Sequence, residues 1–194
     1  NNNFDEIDLV IVNFYPFEKI IHKTKDLKKI IENIDIGGPT LARSAAKNFQ
    51  NVSIISSSLQ YESFINEIKE NNGATNLNFR HSLALQAFSE IAYYDSVISN
   101  YLNSQANLKF TLKKTFHGNL NENLRYGENP HQNASFYSIN QDQDIVQLNG
   151  KKLSYNNYND IFSALSISSM LKKNIGSSIV KHTNPCGVSS EKNH

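Results

Sequence analysis

Lys181 and His182 are the residues best suited to chemistry in this sequence. They leave an apolar run, 177–181, just before an Asn-Pro pair and a glycine. Histidine exchanges protons near neutral pH, and a neighbouring ammonium stabilises negative charge that develops on a substrate. A polar pair that simply ends a strand fits the same residues equally well, although loops after strands often carry sites. Cys186 lies in the same turn. No acidic partner pattern surrounds it, so a small, partly buried thiol is the simpler reading. Asp35-Ile36-Gly37-Gly38-Pro39-Thr40 is a second candidate. Glycines let backbone N–H groups approach a ligand, and a helix N-terminus favours an anion. An acid beside the turn can orient an amide or accept a proton. Taken alone, a plain loop into a helix is the commoner origin of such a turn. Asn13 and Tyr15 leave the end of a strand where open α/β sheets bind ligands. Pro16 keeps Tyr15 extended, and a tyrosine merely packed over the sheet end would look the same. Arg43 and Lys47 are four residues apart and share a helix face, most often just a solvated one. The remaining histidines lack paired ligand spacing, so no metal site is expected.

These residues need elements to hold them. Residues 7–13 and 51–56 are short and rich in β-branched residues, as buried strands are. Helices are expected over 26–33, 39–48, 59–70 and 77–101. Pro39 suits a first helical position. Leu27, Ile30 and Ile31 form one apolar face; Leu41, Ala42, Ala45, Ala46 and Phe49 form another. Leu83, Leu85, Ala87, Phe88, Ile91 and Ala92 form a third. Strands alternating with helices indicate an α/β layer with mainly parallel strands. The pattern stops at 103–123, which reads as a linker. Beyond it, strands are expected at 134–139, 145–148 and 177–181. A polar loop is expected at 155–159 and a helix at 160–173.

Composition excludes several classes. The 19 basic and 18 acidic residues leave a net charge of +1, which gives no bulk positive grip on nucleic acid. A single cysteine excludes an internal disulfide and a multi-cysteine zinc cluster. No stretch nears the roughly 18 apolar residues of a membrane span. The first residues have no signal-peptide pattern, so a cytoplasmic protein is the default expectation. Asparagine is abundant, at 28 residues, but it is spread through the chain rather than concentrated in a low-complexity tract.

Six segments occur in order: Asn13-Phe14-Tyr15-Pro16-Phe17, residues 34–40, residues 43–48, residues 124–132 (Leu-Arg-Tyr-Gly-Glu-Asn-Pro-His-Gln), Leu153-Ser154-Tyr155-Asn156-Asn157 and residues 180–187. The set resembles the bifunctional purine-biosynthesis family that is both AICAR transformylase and IMP cyclohydrolase. The resemblance implies that 1–105 is the C-terminal part of the cyclohydrolase domain, with a methylglyoxal-synthase-like parallel-sheet α/β fold. It implies a linker at 106–123. It further implies that 124–194 opens the transformylase domain, with a cytidine-deaminase-like α/β fold. By motif match, Tyr15, Asp35 and Lys47 fall on cyclohydrolase catalytic positions, and Asn13, Ile36, Gly37 and Gly38 on nucleotide contacts. His182 falls on the transformylase general base and Lys181 on its stabiliser. Arg125, Tyr126 and Asn157 fall on substrate contacts. The implied partners are AICAR, formyl-AICAR and IMP, with 10-formyltetrahydrofolate as formyl donor, no metal, and a homodimer. The family's phosphate-binding loop and most of its folate site have no counterpart in these residues. The chain is therefore expected to be an internal fragment, inactive alone. A non-catalytic nucleotide-binding or regulatory module on the same scaffold is the alternative.

Overall fold

The computed structural model describes residues 6–106, 110–139, 145–171 and 176–190. The chain divides into two compact units, 1–117 and 118–194.

The first unit is built on a pair of parallel strands. β1 (Leu9–Ile11) and β2 (Ser53–Ile55) align Leu9 with Ser53 and Ile11 with Ile55. Between them run α1 (Phe17–Lys23), α2 (Leu27–Glu32) and α3 (Gly37–Lys47). α4 (Tyr61–Glu70) and α5 (Leu77–Gln105) follow. All of β2 is buried. α3 turns Gly38, Pro39, Ala42, Ala45 and Ala46 inward. These recur at helical spacing and are small, so the helix backbone can lie close to β2 and α5. Ile54, Ile55, Leu83 and Ile91 fill the space between the elements. A second cluster joins Phe17, Ile30, Tyr94 and Val97. In it Phe14 and Phe17 pack against Tyr94, with ring centroids at 5.4 and 6.4 Å. Each fully buried side chain of this size contributes about 1.5–3 kcal/mol.

Several expectations need correcting here. α1 lies in a segment given no element from sequence. Pro16 sits at its start, and burial of Phe17 holds it there. Leu27, Ile31, Leu41, Leu85 and Phe88 are exposed, so the inward faces of their helices are narrower than the apolar pattern implied. α2 buries Ile30 alone.

The second unit pairs its strands antiparallel, in contrast to the parallel pair of the first. β3 (Asn119–Asn123) lies inside the stretch read as linker and pairs with β4 (Ser135–Ser138). Its polarity hid it: the bulged Asn121 accepts from the backbone and hydroxyl of Ser138, so a polar strand is satisfied by its own side chain. Residues 145–148 form no strand; Val146 and Leu148 are exposed. The expected loop at 155–159 is the start of α6 (Tyr155–Ser169). Ser154 caps it by accepting from Asn157 N–H, while Asn157 Oδ1 accepts from Ser154 N–H at 3.0 Å. Of the expected helix at 160–173, residues 172 and 173 lie outside the described residues. β5 (Ser177–Lys181) and β6 (Asn184–Ser189) close a hairpin. The segment 184–187, read as a turn, is strand. The pairing skips Cys186, and this bulge accommodates Pro185 beside it.

Candidate functional site

Asp35 organises the polar end of the first unit. It lies directly after α2 and before α3, where the chain must turn into the helix. One carboxylate oxygen accepts Gly38 N–H at 2.8 Å, as a helix cap does. The other accepts Tyr15 N–H at 3.1 Å, across twenty positions of sequence. Asp35 N–H donates to the Tyr94 hydroxyl at 2.9 Å. That hydroxyl in turn donates toward Asn33 C=O at 3.4 Å. Burial pushes the Tyr94 phenol above its ordinary range; the Asp35 and Asp95 carboxylates add to this, and the Asp35 N–H opposes it.

The fit around Asp35 is tight on one side only. A Cβ on Gly38 would stand 2.6 Å from Asp35 Oδ2, so only glycine lets the carboxylate lie there. A Cβ on Gly37 would meet open space. Ile36 is 74% exposed and the Tyr15 side chain 56%. Asn13 is exposed as well. Tyr15, Ile36 and Gly37 are therefore exposed as a rim around the half-buried Asp35, while Gly38 is buried. Lys47 ends the opposite end of α3, roughly 13 Å along the axis from Gly38 at about 1.5 Å per residue. Arg43, on the face expected to be solvated, pairs with Asp95 of α5.

In the second unit, the N-terminal end of α6 gathers the other candidates. Arg125 N–H donates to Leu153 C=O at 2.9 Å, and Tyr155 N–H donates to Tyr126 C=O at 3.1 Å. Asn156 donates to Glu128 C=O at 3.0 Å. The turn between them is closed by Gly127 N–H on Gln132 C=O, and a Cβ on Gly127 would meet Gln132 Cβ at 2.9 Å. The Arg125 guanidinium lies over the Tyr126 ring at 4.8 Å and donates to its hydroxyl. His182 and Thr183 form the two-residue tip of the β5–β6 hairpin, with φ of 52° and 64°. Thr183 N–H donates to Asp160 Oδ1 of α6 at 2.8 Å. Tyr126 and the His182 turn are thus tied to α6 at points five residues apart, about 7.5 Å of helix rise, and Arg125 to Leu153 just before it. Lys181 and His182 are exposed. Asn157 spends its carbonyl oxygen on the Ser154 cap.

A family model described as AICARFT/IMPCHase bienzyme matches residues 45–194. The chain belongs to the AICARFT/IMPCHase bienzyme family. A model of the MGS-like domain matches residues 3–40, in keeping with the parallel β1–β2 pair and its helices. The bifunctional purine biosynthesis protein PurH of Leptospira biflexa is 47% identical over 190 residues, covering 97% of this chain and 37% of its own. PurH of Bartonella tribocorum is 40% identical over 198 residues, covering 99% of this chain and 37% of its own. PurH of Listeria welshimeri is 44% identical, covering 96% and 38%. The chain thus spans little more than a third of the length of the curated relatives it matches. The crystal structure of ForH overlaps 50% of this chain and 50% of its own at 28% identity and a TM-score of 0.39, too loose for a geometric comparison.

Three residues that sequence reasoning passed over hold these two clusters or the core beside them. Tyr94 supports Asp35 from the core, Asp160 holds the His182 turn, and Glu122 accepts from the buried Tyr158 hydroxyl. Tyr94 and Asp160 each lie on a helix face, and nothing local distinguishes them from solvent-facing neighbours. No helix among the described residues is long and apolar enough to cross a membrane.

Proposed function

We propose that this chain takes part in the last two steps of IMP synthesis, formyl transfer to AICAR and ring closure of the product, in the cytoplasm. Residues 1–105 serve as the C-terminal part of a cyclohydrolase domain, and the second unit, which takes in β3 as well as 124–194, as the N-terminal part of a transformylase domain of cytidine-deaminase-like fold. The reading is supported above all by one observation: motif residues scattered along the sequence converge at two places. One is the Asp35 rim and the other is the N-terminal end of α6.

Formyl transfer needs a weakly nucleophilic amine to lose a proton as it attacks the formyl carbon of 10-formyltetrahydrofolate. His182 accepts that proton and Lys181 stabilises the oxyanion of the tetrahedral intermediate, whose collapse breaks the bond from the formyl carbon to N10 and releases tetrahydrofolate, N10 taking up a proton. Arg125, Tyr126 and Asn157 hold AICAR; the guanidinium suits a phosphate or a carboxamide. Ring closure has the carboxamide nitrogen attack the new formyl carbon, and water leaves. Asp35, fixed by two backbone donors, orients the carboxamide or takes its proton, with Tyr15 beside it; Lys47, the family's catalytic lysine by motif match, stands at the other end of α3. Asn13, Ile36, Gly37 and Gly38 form the nucleotide contact. Neither step calls for a metal. The full-length enzyme acts as a homodimer.

His182→Ala in the full-length enzyme is expected to abolish formyl transfer while sparing cyclisation of formyl-AICAR, measured as IMP formation. Tyr15→Phe is expected to do the converse. Equal loss of both activities in either variant would sink the two-site assignment. Binding of AICAR or IMP without turnover would favour a regulatory module.

A further inference from the structure

We propose that Asp160 is a positioning residue, whose carboxylate clamps the left-handed His182–Thr183 turn and thereby sets where the His182 imidazole stands. The inference rests on reading His182 as the base of formyl transfer.

The turn has an unusual sequence for its shape. A two-residue hairpin loop with positive φ at both positions is normally built from asparagine, aspartate or glycine. Here φ is 52° at His182 and 64° at Thr183. Positive φ is an outlier for a β-branched residue such as threonine, and such strain persists only where the surroundings hold it. Two hydrogen bonds come from within the loop region: Asn184 Nδ2 and Thr183 Oγ1 both donate to His182 C=O, at 2.8 and 2.6 Å. Neither fixes the loop to anything else.

The Asp160 bond does. In a two-residue hairpin loop, the N–H of the second loop residue points away from the ladder and finds no strand partner. Asp160 Oδ1 takes that N–H from a helix, at 2.8 Å and across 23 positions of sequence. The same helix begins where Tyr155 N–H meets Tyr126 C=O. The clamp therefore refers His182 to the element that carries Asn157 and is tied to Tyr126, two of the proposed AICAR contacts. A site on a rigid element keeps its geometry better than one on a free loop tip. Misplacement of a catalytic group by about 1 Å costs on the order of 100-fold in rate.

The test compares Asp160→Ala and Asp160→Asn in the full-length enzyme. It reads kcat and KM for formyl transfer, and amide exchange at Thr183. Asp160→Ala is expected to lower kcat by about 10- to 100-fold, with KM for AICAR little changed and Thr183 exchange faster. Asp160→Asn, whose amide oxygen still accepts, is expected to restore most of the rate and the protection. Unchanged kcat in Asp160→Ala would overturn the proposal. So would an Asp160→Asn variant that protects Thr183 but stays as slow as alanine. If His182→Ala retains formyl transfer, the general-base reading itself fails. Faster Thr183 exchange in Asp160→Ala would then mark a purely structural tie and end the positioning inference.

Discussion

The two units hold their candidate sites in opposite ways. In the first, Asp35 is supported from inside a packed core. Its N–H meets the Tyr94 hydroxyl, and Tyr94 is clamped between Phe14 and Phe17 and is only 8% exposed. In the second, Tyr158 is the only buried hydrophobic side chain among the described residues. It stacks on both Phe136 and Phe162, which also touch each other, and donates to Glu122. The His182 turn is held instead by hydrogen bonds and a strained backbone. Packing is short-ranged and insensitive to pH, whereas a hydrogen-bonded turn depends on each partner. Losses in the first unit should therefore appear as stability, and losses in the second as geometry.

The largest contrast is expected between two phenylalanines. Phe17→Ala empties a fully buried site and should cost about 3–5 kcal/mol, read from the denaturant midpoint. Phe162→Ala removes a ring that is 46% exposed and should cost less than about 2 kcal/mol. Equal costs would erase the distinction between the units.

Next come the two glycines. Gly38→Ala drives a methyl into the Asp35 carboxylate and should cost about 1–3 kcal/mol, displacing the acid as well. Gly37→Ala meets open space and should leave the denaturation midpoint nearly unchanged. If the rim grips a nucleotide, Gly37→Ala should still weaken IMP binding in a calorimetric titration. Unchanged affinity would remove Gly37 from the contact.

Alkaline pH acts on both units through their buried phenols. Burial, reinforced by the Glu122 carboxylate, pushes Tyr158 up to about 12; Tyr94 is raised in the same direction. An unfolded tyrosine ionises near pH ~10, so the neutral folded phenol contributes its full stability below that pH. That stability should drain away as pH rises from about 10 to about 12. Phenolate absorbance should show Tyr158 ionising late, and Tyr158→Phe should remove that late step.

The smallest effect is expected at the Arg43–Asp95 pair. Both side chains are about half exposed, at 48% and 50%. Arg43→Ala should cost about 0.2–1 kcal/mol and less in high salt, read from the denaturant midpoint. A loss several times larger would mean that the pair does more than tether α3 to α5.

Much of the first unit was legible in the sequence because its signals are local. β-branched runs marked β1 and β2, and a proline after two glycines placed the start of α3 two residues late, since the helix takes in both glycines. The alanines of α3 predicted its buried face. Leu41, Leu85 and Phe88 misled because apolar residues at helical spacing say nothing about how wide a face the neighbours cover. In the second unit, β3 was missed because Asn119-Leu120-Asn121-Glu122-Asn123 reads as polar loop. Tyr155–Asn159 was missed as helix because its helical start depends on Ser154 accepting from Asn157, a cap seen only in three dimensions.

By itself, the sequence determined the chemical inventory and its order: Tyr15, Asp35, the two glycines, Arg125 with Tyr126, and Lys181 with His182. These are properties of residue type and spacing, and together they carry the family resemblance. Tertiary structure decided which of them stand together and on what support. Asp35 reaches Tyr15 across twenty positions, Tyr94 underpins it from the far end of the unit, and Asp160 reaches Thr183 from a helix. Such contacts join residues far apart in the chain. They depend on where helices and strands come to rest, and no local propensity encodes that.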